Sequence, residues 1–279
     1  MTQTRSNVPN KEQRRVAFIT GASGGVGKAT VEHFRSQGWA VAATSRDPRT
    51  LRPQQGDNDF LGIRLDLSDH ASVNAAVAEA EERFGHIDVL VNNAGTGLAG
   101  PLEAMAIATL KEHFETNVLG STVVTKAVLP GMRRRRKGTI VNVTSIAGRL
   151  GLPFMAPYAA AKFALEGLTE AMRYELMPFD IKVRLVEPSG IRTGFEHTWM
   201  TDAPYEREVS TIRRRMSVSA AKSLLPEKVA DVIYQASVST GSRLRFPTSD
   251  TAALLLLRSL LPDSIVQRLL RSAFLKEGR

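Results

Sequence analysis

A phenol and an ammonium stand four residues apart in Tyr158-Ala159-Ala160-Ala161-Lys162. On a helix that spacing makes the two side chains neighbours. A free phenol has a pKa of about 10, too high to exchange protons readily near neutrality, and a nearby positive charge favours the phenolate. A tenfold change in acidity corresponds to about 1.36 kcal/mol, so bringing the hydroxyl near pH 7 requires roughly 4 kcal/mol of differential stabilisation. One ammonium supplies part of that; a cationic cofactor ring alongside would supply more. By itself the pair also reads as an ordinary amphipathic surface pair. Ser145 gives it company. It ends the apolar, β-branched run Thr139-Ile-Val-Asn-Val-Thr-Ser145 and so places a hydroxyl at the carboxyl end of a strand, the edge where open α/β sheets bind ligands.

The elements that must hold these groups are readable from pattern. From Tyr158 to Met177 the apolar residues Ala161, Ala164, Leu165, Leu168, Met172 and Leu176 recur at helical steps, with Pro157 at the start and Pro178 at the stop. Earlier, Arg15-Val-Ala-Phe-Ile-Thr20 predicts a strand, Gly21-Ala-Ser-Gly-Gly-Val-Gly27 a glycine turn, and the stretch to about Gln37 a helix. Strand, glycine turn and helix aim free backbone N–H groups and the positive helix end at a phosphate. Gly21 permits the turn, Gly25 the approach of a pyrophosphate, and Gly27 the packing of helix on strand. The next strand, Trp39 to Ser45, ends in Arg46, with Asp47 one residue later and no acid at Thr44 or Ser45. An NAD site usually offers a carboxylate here, whereas an Arg suits the extra phosphate of NADP. A charge-assisted contact of about 1.5 to 3 kcal/mol implies roughly 10- to 150-fold cofactor preference. The alternative for Arg46 is a solvated loop residue.

A third strand, Phe60 to Asp66, ends at Asp66 and Leu67 where an adenine could lie, and Ser68 or Asp69 caps a helix to about Phe84. A fourth, Asp88 to Gly95, ends in Asn-Asn-Ala-Gly. Asn92 either ties neighbouring strands together or faces the cofactor, and Ala94 and Gly95 leave room beside it. The helical region from about Ile107 to Met132 carries Asn117, a poor helix-interior residue unless its amide has a task. The two readings are a kink whose backbone carbonyl holds a water near Lys162, and local hydrogen bonding. Lys182 to Glu187 predicts a sixth strand running into the turn Pro188-Ser-Gly-Ile-Arg-Thr193, suited to lying along a nicotinamide. Residues 194–225 lack steady periodicity, which predicts a substrate-covering lid without clear elements of its own. A helix from Pro226 to Ser239, a short strand from Arg243 to Phe246 and a helical extension over 251–279 complete the chain. That extension flanks the pocket, packs on a partner subunit or touches a membrane.

At 279 residues the chain fits one α/β domain over 14–250 with this appendage, preceded by a polar, charged tail over 1–13 that reads as disordered rather than as a signal peptide. The absence of cysteine excludes disulfides, thiol catalysis and thiolate metal sites. The apolar stretch Ala252 to Leu257 is broken by Arg258 and falls far short of the roughly 20 residues that cross a bilayer, leaving peripheral membrane contact open. A soluble, cytoplasmic protein is expected. The net charge of +9, much of it in Arg133–Lys137 and Arg213–Arg215, favours anionic ligands, acidic partner proteins or nonspecific nucleic-acid contact. At a helix's carboxyl end the first run also complements the macrodipole. With no zinc finger or aromatic-studded basic strand, specific nucleic-acid recognition is not expected.

Taken together, Thr20-Gly-x-x-x-Gly-x-Gly27, Asn92-Asn-Ala-Gly95, Asn117, Ser145, Tyr158-x-x-x-Lys162 and Pro188-x-Gly190 resemble the short-chain dehydrogenase/reductase family, in order and from about Arg15 to Phe246. Gly151-Leu-Pro-Phe154, Lys162 to Gly167 and Thr44 to Asp47 look most like its hydroxysteroid and retinol dehydrogenase branch. The resemblance implies a Rossmann-type doubly wound parallel sheet of about seven strands with helices on both faces, and a homodimer or homotetramer. It implies Tyr158 as acid/base, Lys162 lowering its pKa and holding the nicotinamide ribose, Ser145 on the substrate oxygen, and Asn117 anchoring a relay water. NADP(H) would lie along Gly21, Ser23, Gly25, Val26, Gly27, Arg46, Asp66, Leu67, Asn92, Ala94, Gly95, Val118, Tyr158, Lys162, Pro188, Gly190, Ile191 and Thr193. The reaction implied is interconversion of an alcohol and a ketone or aldehyde on a bulky apolar, steroid-, retinoid- or lipid-like substrate. The alternatives are a 3-oxoacyl-carrier-protein reductase and a non-catalytic NADP(H)-sensing regulator.

Overall fold

Neighbouring residues of the first strand face opposite ways, Ala17 and Ile19 into one apolar cluster and Phe18 into another, which is how a sheet with helices on both sides must be built. A computed structural model describes residues 14–51, 57–195 and 197–275; the tail expected over 1–13 lies outside the described residues. In chain order the elements are β1 (Val16–Ile19), α1 (Gly25–Ser36), β2 (Ala40–Ser45), β3 (Phe60–Arg64), α2 (His70–Phe84), β4 (Val89–Asn92), β5 (Gly97–Ala99) and α3 (Ile107–Phe114). A π-helical segment, Glu115–Gly120, joins α3 to α4 (Ser121–Arg135). Then follow β6 (Gly138–Val143), α5 (Ala156–Leu176), β7 (Ile181–Glu187), β8 (His197–Trp199), α6 (Glu206–Lys222), α7 (Pro226–Val238), β9 (Arg245–Pro247), α8 (Ser249–Leu260) and α9 (Asp263–Phe274).

One sheet carries seven strands in the order β3-β2-β1-β4-β6-β7-β9, all parallel. The order turns outward in both directions from β1 and β4, and such a switch point opens a crevice at the carboxyl ends of the strands. Phe34 of α1 and Val229, Ile233 and Ala236 of α7 fill the core on one face; Val73 and Val77 of α2, Val124 and Val128 of α4 and Met172 of α5 fill the other. This is the Rossmann-type, doubly wound arrangement that the motifs imply.

Two expectations change. Residues 194–225 are not without elements: β8 pairs in parallel with β5, a second sheet that pattern did not disclose, and α6 is a 17-residue helix. Its buried stripe, Val209 and Ile212, is narrow and set among arginines, so it was invisible to a search for broad periodicity. The region from Ile107 is not one helix, because the π-helical segment interrupts it around Asn117. The basic run ends α4 partly for structural reasons: Arg135 donates to the Ile87 carbonyl and Arg136 to that of Pro178, at 2.5 and 2.7 Å. Among the described residues no helix is long and apolar enough to cross a membrane.

Candidate active site

The glycine turn is locked to the end of β4 by Thr20. Its Oγ1 accepts from the backbone N–H groups of Asn93 and Ala94, both at 3.0 Å. Asn93 returns the contact, donating through Nδ2 to the carbonyls of Thr20 and Gly21 at 2.9 and 3.3 Å. Asn93 is absent from the sequence-derived set, although its place inside Asn92-Asn-Ala-Gly95 was the available signal. A Cβ at position 27 would sit 2.0 Å from the Gly21 carbonyl oxygen, so only glycine lets α1 start this close to β1. α1 begins without a side-chain cap and without an acidic residue in its first turn. Uncapped N–H groups at the positive end of a helix suit an anion, and the glycine cradle fits a dinucleotide pyrophosphate. Ser23 is exposed at this turn and Val26 is buried beneath it. Thr193 faces Gly25 from the far side, 3.2 Å from the position a Cβ would take, which brings the Pro188–Thr193 turn to the glycines. Ile191 packs on the core, and Gly190 is joined to the end of α6 by the bond from Leu224 N–H to its carbonyl, at 3.3 Å.

At the end of β2, Arg46 is exposed. Asp47 does not compete for its place, because its carboxylate takes two bonds from the Arg49 guanidinium, both 2.9 Å. The Asp66 carboxylate accepts from the Ser68 N–H and hydroxyl at 3.0 and 2.7 Å; these bonds first, and then the charges of Arg46 and Arg64, hold it below the usual carboxylate range. Leu67 is buried, and its carbonyl lies against Gly120 in the same π-helical segment as Val118. Asn92 does tie strands together: its Nδ2 donates to Asn142 on β6 at 2.8 Å and to Thr125 on α4 at 3.0 Å. Its side-chain donors are therefore committed inside the protein.

Ser145 follows β6 and caps the next turn, its Oγ accepting from the Ala147 N–H at 3.1 Å. Its hydroxyl lies close enough to the Tyr158 phenol to favour the phenolate, and the Pro188 carbonyl accepts from the Ile146 N–H at 2.8 Å, so strand end, phenol and the Pro188–Thr193 turn meet. Lys162 reaches back from α5 to the Val143 carbonyl at 3.2 Å. At Gly95 an added Cβ would stand 2.6 Å from Asn117 Oδ1 and 3.9 Å from Lys162 Nζ, so Asn117, Lys162 and the end of β4 converge on one point. Asn117 uses its amide locally: Oδ1 accepts from the Thr96 N–H at 3.1 Å, and Nδ2 donates to the His113 carbonyl at 2.9 Å and the Thr96 hydroxyl at 3.0 Å. Its backbone carbonyl accepts from the Ser121 hydroxyl at 3.3 Å.

Electrostatics in the protein alone run against the simple pair argument. Burial pushes the Tyr158 phenol above its ordinary value, with the Ser145 bond only partly opposing it. Burial also pulls the Lys162 ammonium down to about 8, offset in part by Glu166. Both side chains are over nine-tenths hidden, and the cost of removing charge from water is the first cause of both shifts.

Two histidines missing from the sequence-derived set flank the phenol. The rings of His113 on α3 and His197 on β8 lie 6.3 and 5.4 Å from the Tyr158 ring, and Phe195 lies at 6.3 Å. The β5–β8 pairing places His197: Met200 N–H donates to the Ala99 carbonyl at 2.8 Å, drawing the 197–200 segment over α5. Ala99, Ala147, Met155, Tyr158 and Ala159, joined by Leu152, Trp199 and Met216, form an apolar wall there.

Known proteins share this layout. A family model described as short chain dehydrogenase matches residues 15–204. The uncharacterized oxidoreductase YusZ of Bacillus subtilis is 36% identical over 276 residues, covering 92% of this chain and 98% of its own. A 3-ketodihydrosphingosine reductase of Bacteroides thetaiotaomicron is 40% identical over 183 residues, 66% of each chain. Among solved structures, a short-chain dehydrogenase from Streptomyces avermitilis superposes with a TM-score of 0.80 at 32% identity, covering 92% of this chain and 95% of that one. One from Burkholderia phymatum in complex with NAD gives 0.79 at 26%, covering 93% and 96%, and ElxO with NADP bound gives 0.70 at 26%, covering 86% and 100%. With its parallel sheet, its glycine cradle at the switch point and a family match over most of its length, the chain belongs to the short-chain dehydrogenase family, oxidoreductases that work with a nicotinamide cofactor.

Proposed function

We propose that the protein is an NADP(H)-dependent oxidoreductase that interconverts a ketone or aldehyde and the corresponding alcohol on a bulky apolar substrate, with Tyr158 as the acid/base. The observation that carries this reading is the meeting of Ser145, Tyr158, Lys162 and Asn117 at the carboxyl ends of β4 and β6, beside the glycine cradle. The cofactor, when bound, supplies the hydride for reduction or takes it up in oxidation. The Ser145 hydroxyl holds the reacting oxygen, and the Tyr158 hydroxyl gives that oxygen its proton; such a positioned acid is worth about 100- to 10,000-fold. A phenol held protonated by burial is already the correct form for reduction. Deprotonating it in the other direction needs positive charge beyond Lys162. Asn117, fixed by Thr96 and His113, holds the floor of the site next to the ammonium. The wall of Leu152, Met155, Trp199 and Met216 suits an apolar body, and the likeness to a 3-ketodihydrosphingosine reductase supports a lipid-like one.

Preference for NADP(H) rests on exposed Arg46 and on the engagement of Asp47 by the Arg49 guanidinium at this strand end. A homodimer or homotetramer is part of the reading, supported by Phe163 and Tyr174 exposed along α5. NADPH oxidation followed by absorbance against steroid, retinoid, long-chain aliphatic and acyl-thioester carbonyls tests the function. Turnover of apolar ketones supports it, preference for carrier-linked thioesters redirects it to acyl reduction, and no turnover despite NADPH binding overturns it. Arg46→Asp is expected to lower NADPH-linked kcat/KM by roughly 10- to 150-fold and to spare NADH-linked turnover. Equal use of both cofactors by the wild type would remove the NADP assignment.

A further inference from the structure

Helix α8 is turned inside out. Its inner stripe, at helical spacing, is Thr251, Leu255 and Arg258, the first wholly buried and the other two half-buried. Its outer stripe holds Ala253, Leu256, Leu257 and Leu260, and the three leucines are 63, 47 and 72% exposed. A helix on a protein surface ordinarily does the reverse, with its apolar stripe inward. The orientation is fixed rather than loose: Asp250 accepts from the hydroxyl of Ser189, in the Pro188–Thr193 turn, from that of Thr248 at 2.7 Å and from the Thr251 N–H at 3.0 Å. Helix α9 continues the exposure. None of its residues is buried, and Ile265 and Leu269, one turn apart, are both exposed. Five residues separate Leu260 from Ile265, which limits their distance to about 18 Å. Arg258 Nη2, donating to Asp263 at 2.8 Å, draws the two helix ends together. Exposed leucines thus stand within a turn of one corner on both helices, and clustered apolar side chains of this size mark a place where something docks.

The charge at this corner says what docks. Asp263 is paired with Arg258, and Asp250 is held by its hydroxyl and N–H donors, whereas Arg268 and Arg271 are exposed and form no ion pair among the described residues. Arg268 lies three residues from Ile265 and Arg271 three from Arg268, so the cations run along the edge of the α9 apolar stripe. Both line one cleft with Glu208 and Leu275, and a single carboxylate against two guanidiniums leaves that cleft positive. Leucines bordered by arginines suit a lipid surface with anionic headgroups, where apolar side chains enter the acyl boundary and guanidiniums stay among the phosphates with their stems on the apolar side. A second copy placed on the same face by a two-fold axis would bring the same cations to face one another.

We propose that the α8–α9 corner docks on an anionic lipid bilayer, with Leu256, Leu257, Leu260, Ile265 and Leu269 entering it and Arg268 and Arg271 on its headgroup phosphates. The docked face and the substrate wall share α6: Arg215 donates to the Ser272 and Ala273 carbonyls of α9 at 2.9 and 2.7 Å, and the next residue, Met216, packs on the apolar wall beside Tyr158. The protein then meets a lipid-like substrate at the membrane where that substrate is dissolved. This last point rests on the reductase reading above; the docking itself does not.

The test is co-sedimentation of the full chain with vesicles of phosphatidylcholine alone or mixed with phosphatidylglycerol. Wild type is expected to sediment with the mixed vesicles, more weakly with the neutral ones, and less as salt is raised. Leu256→Ser combined with Leu260→Ser is expected to weaken vesicle binding by about 10-fold or more. Its urea midpoint and its turnover of a short, water-soluble ketone should stay within about 2-fold of wild type, as befits exposed positions. Arg268→Gln and Arg271→Gln are each expected to weaken binding to the mixed vesicles by roughly 5-fold and to spare binding to the neutral ones. Failure of wild type to sediment with either vesicle, equal sedimentation with both, or unchanged sedimentation of the leucine variant overturns the proposal. A wild-type oligomer that ignores vesicles and dissociates in the leucine variant also overturns it, and assigns the corner to a second copy. If wild type binds the mixed vesicles as expected but reduces no ketone, the lipid-docking face stands and the reductase reading fails.

Discussion

α5 presents two buried polar clusters, and they are opposites. One, towards β7 and β9, is saturated: Glu166 accepts from the Thr144 hydroxyl at 2.5 Å and from Arg245, while Glu187 accepts from Arg245 at 2.5 Å and from Arg149 at 3.0 Å. Arg245 also reaches Glu170. The other, around Tyr158, is underfilled: Lys162 has the Val143 carbonyl, Tyr158 has the Ser145 hydroxyl nearby, and two imidazole nitrogens have no partner among the described residues. A buried network with every member bonded makes a frame, whereas one left open in the same core is a place for a ligand. The difference lies within one helix, where Lys162 and Glu166 are a single turn apart.

Substitution on each side should separate the two roles. The largest effect belongs to Tyr158→Phe, expected to lower kcat by about 100- to 10,000-fold with NADPH affinity within about 2-fold of wild type; near-wild-type turnover would erase the distinction. Arg245→Met on the saturated side strands Glu166 without a cation and leaves Glu187 with Arg149 alone. It should destabilise the fold by about 3–5 kcal/mol in urea titrations, with kcat per folded molecule close to wild type. Loss of activity at full stability would place Arg245 in the site instead.

Lys162→Met sharpens the contrast from the open side. With Lys162 near 8 in the folded protein and near its ordinary value of 10.5 when unfolded, both states are protonated below pH 8 and the burial penalty is fully present there. As pH rises from 8 towards 10.5 the unfolded chain holds more proton, so wild-type stability increases. The variant should be more stable at pH 7 by on the order of 2–3 kcal/mol, with the gap closing by pH 10.5, and with turnover lost. The smallest effect concerns His113, held near 4 chiefly by burial, then by the charge of Lys162. Wild type should lose stability as pH falls from 6.5 towards 4, where only the unfolded chain takes up the proton, and His113→Leu should lose less across that window, by roughly 1–3 kcal/mol. Parallel slopes for both proteins would contradict a buried neutral imidazole.

Much of the site was legible because its parts are encoded in neighbouring residues. Strand alternation, the glycine turn, the Ser145 strand end and the four-residue step from Tyr158 to Lys162 are local patterns, and the parallel sheet follows from strands alternating with helices. Asn92 remained open between two readings until Thr125 and Asn142 were seen to occupy its amide. The 194–225 segment misled for the converse reason: the apolar residues of α6 are few, and its partners lie in other parts of the chain.

Pattern alone determined the fold class and pointed to the glycine turn and to Ser145, Tyr158 and Lys162 as the groups proposed for proton transfer, since each depends on backbone preference and spacing over a few residues. Only the tertiary structure decided that Gly97–Ala99 pairs with His197–Trp199, that His113 and His197 enclose the phenol, and that Tyr158 is harder, not easier, to ionise in the protein alone. Those outcomes depend on contacts between distant segments and on how completely water is removed, and neither quantity is written in any short stretch of chain.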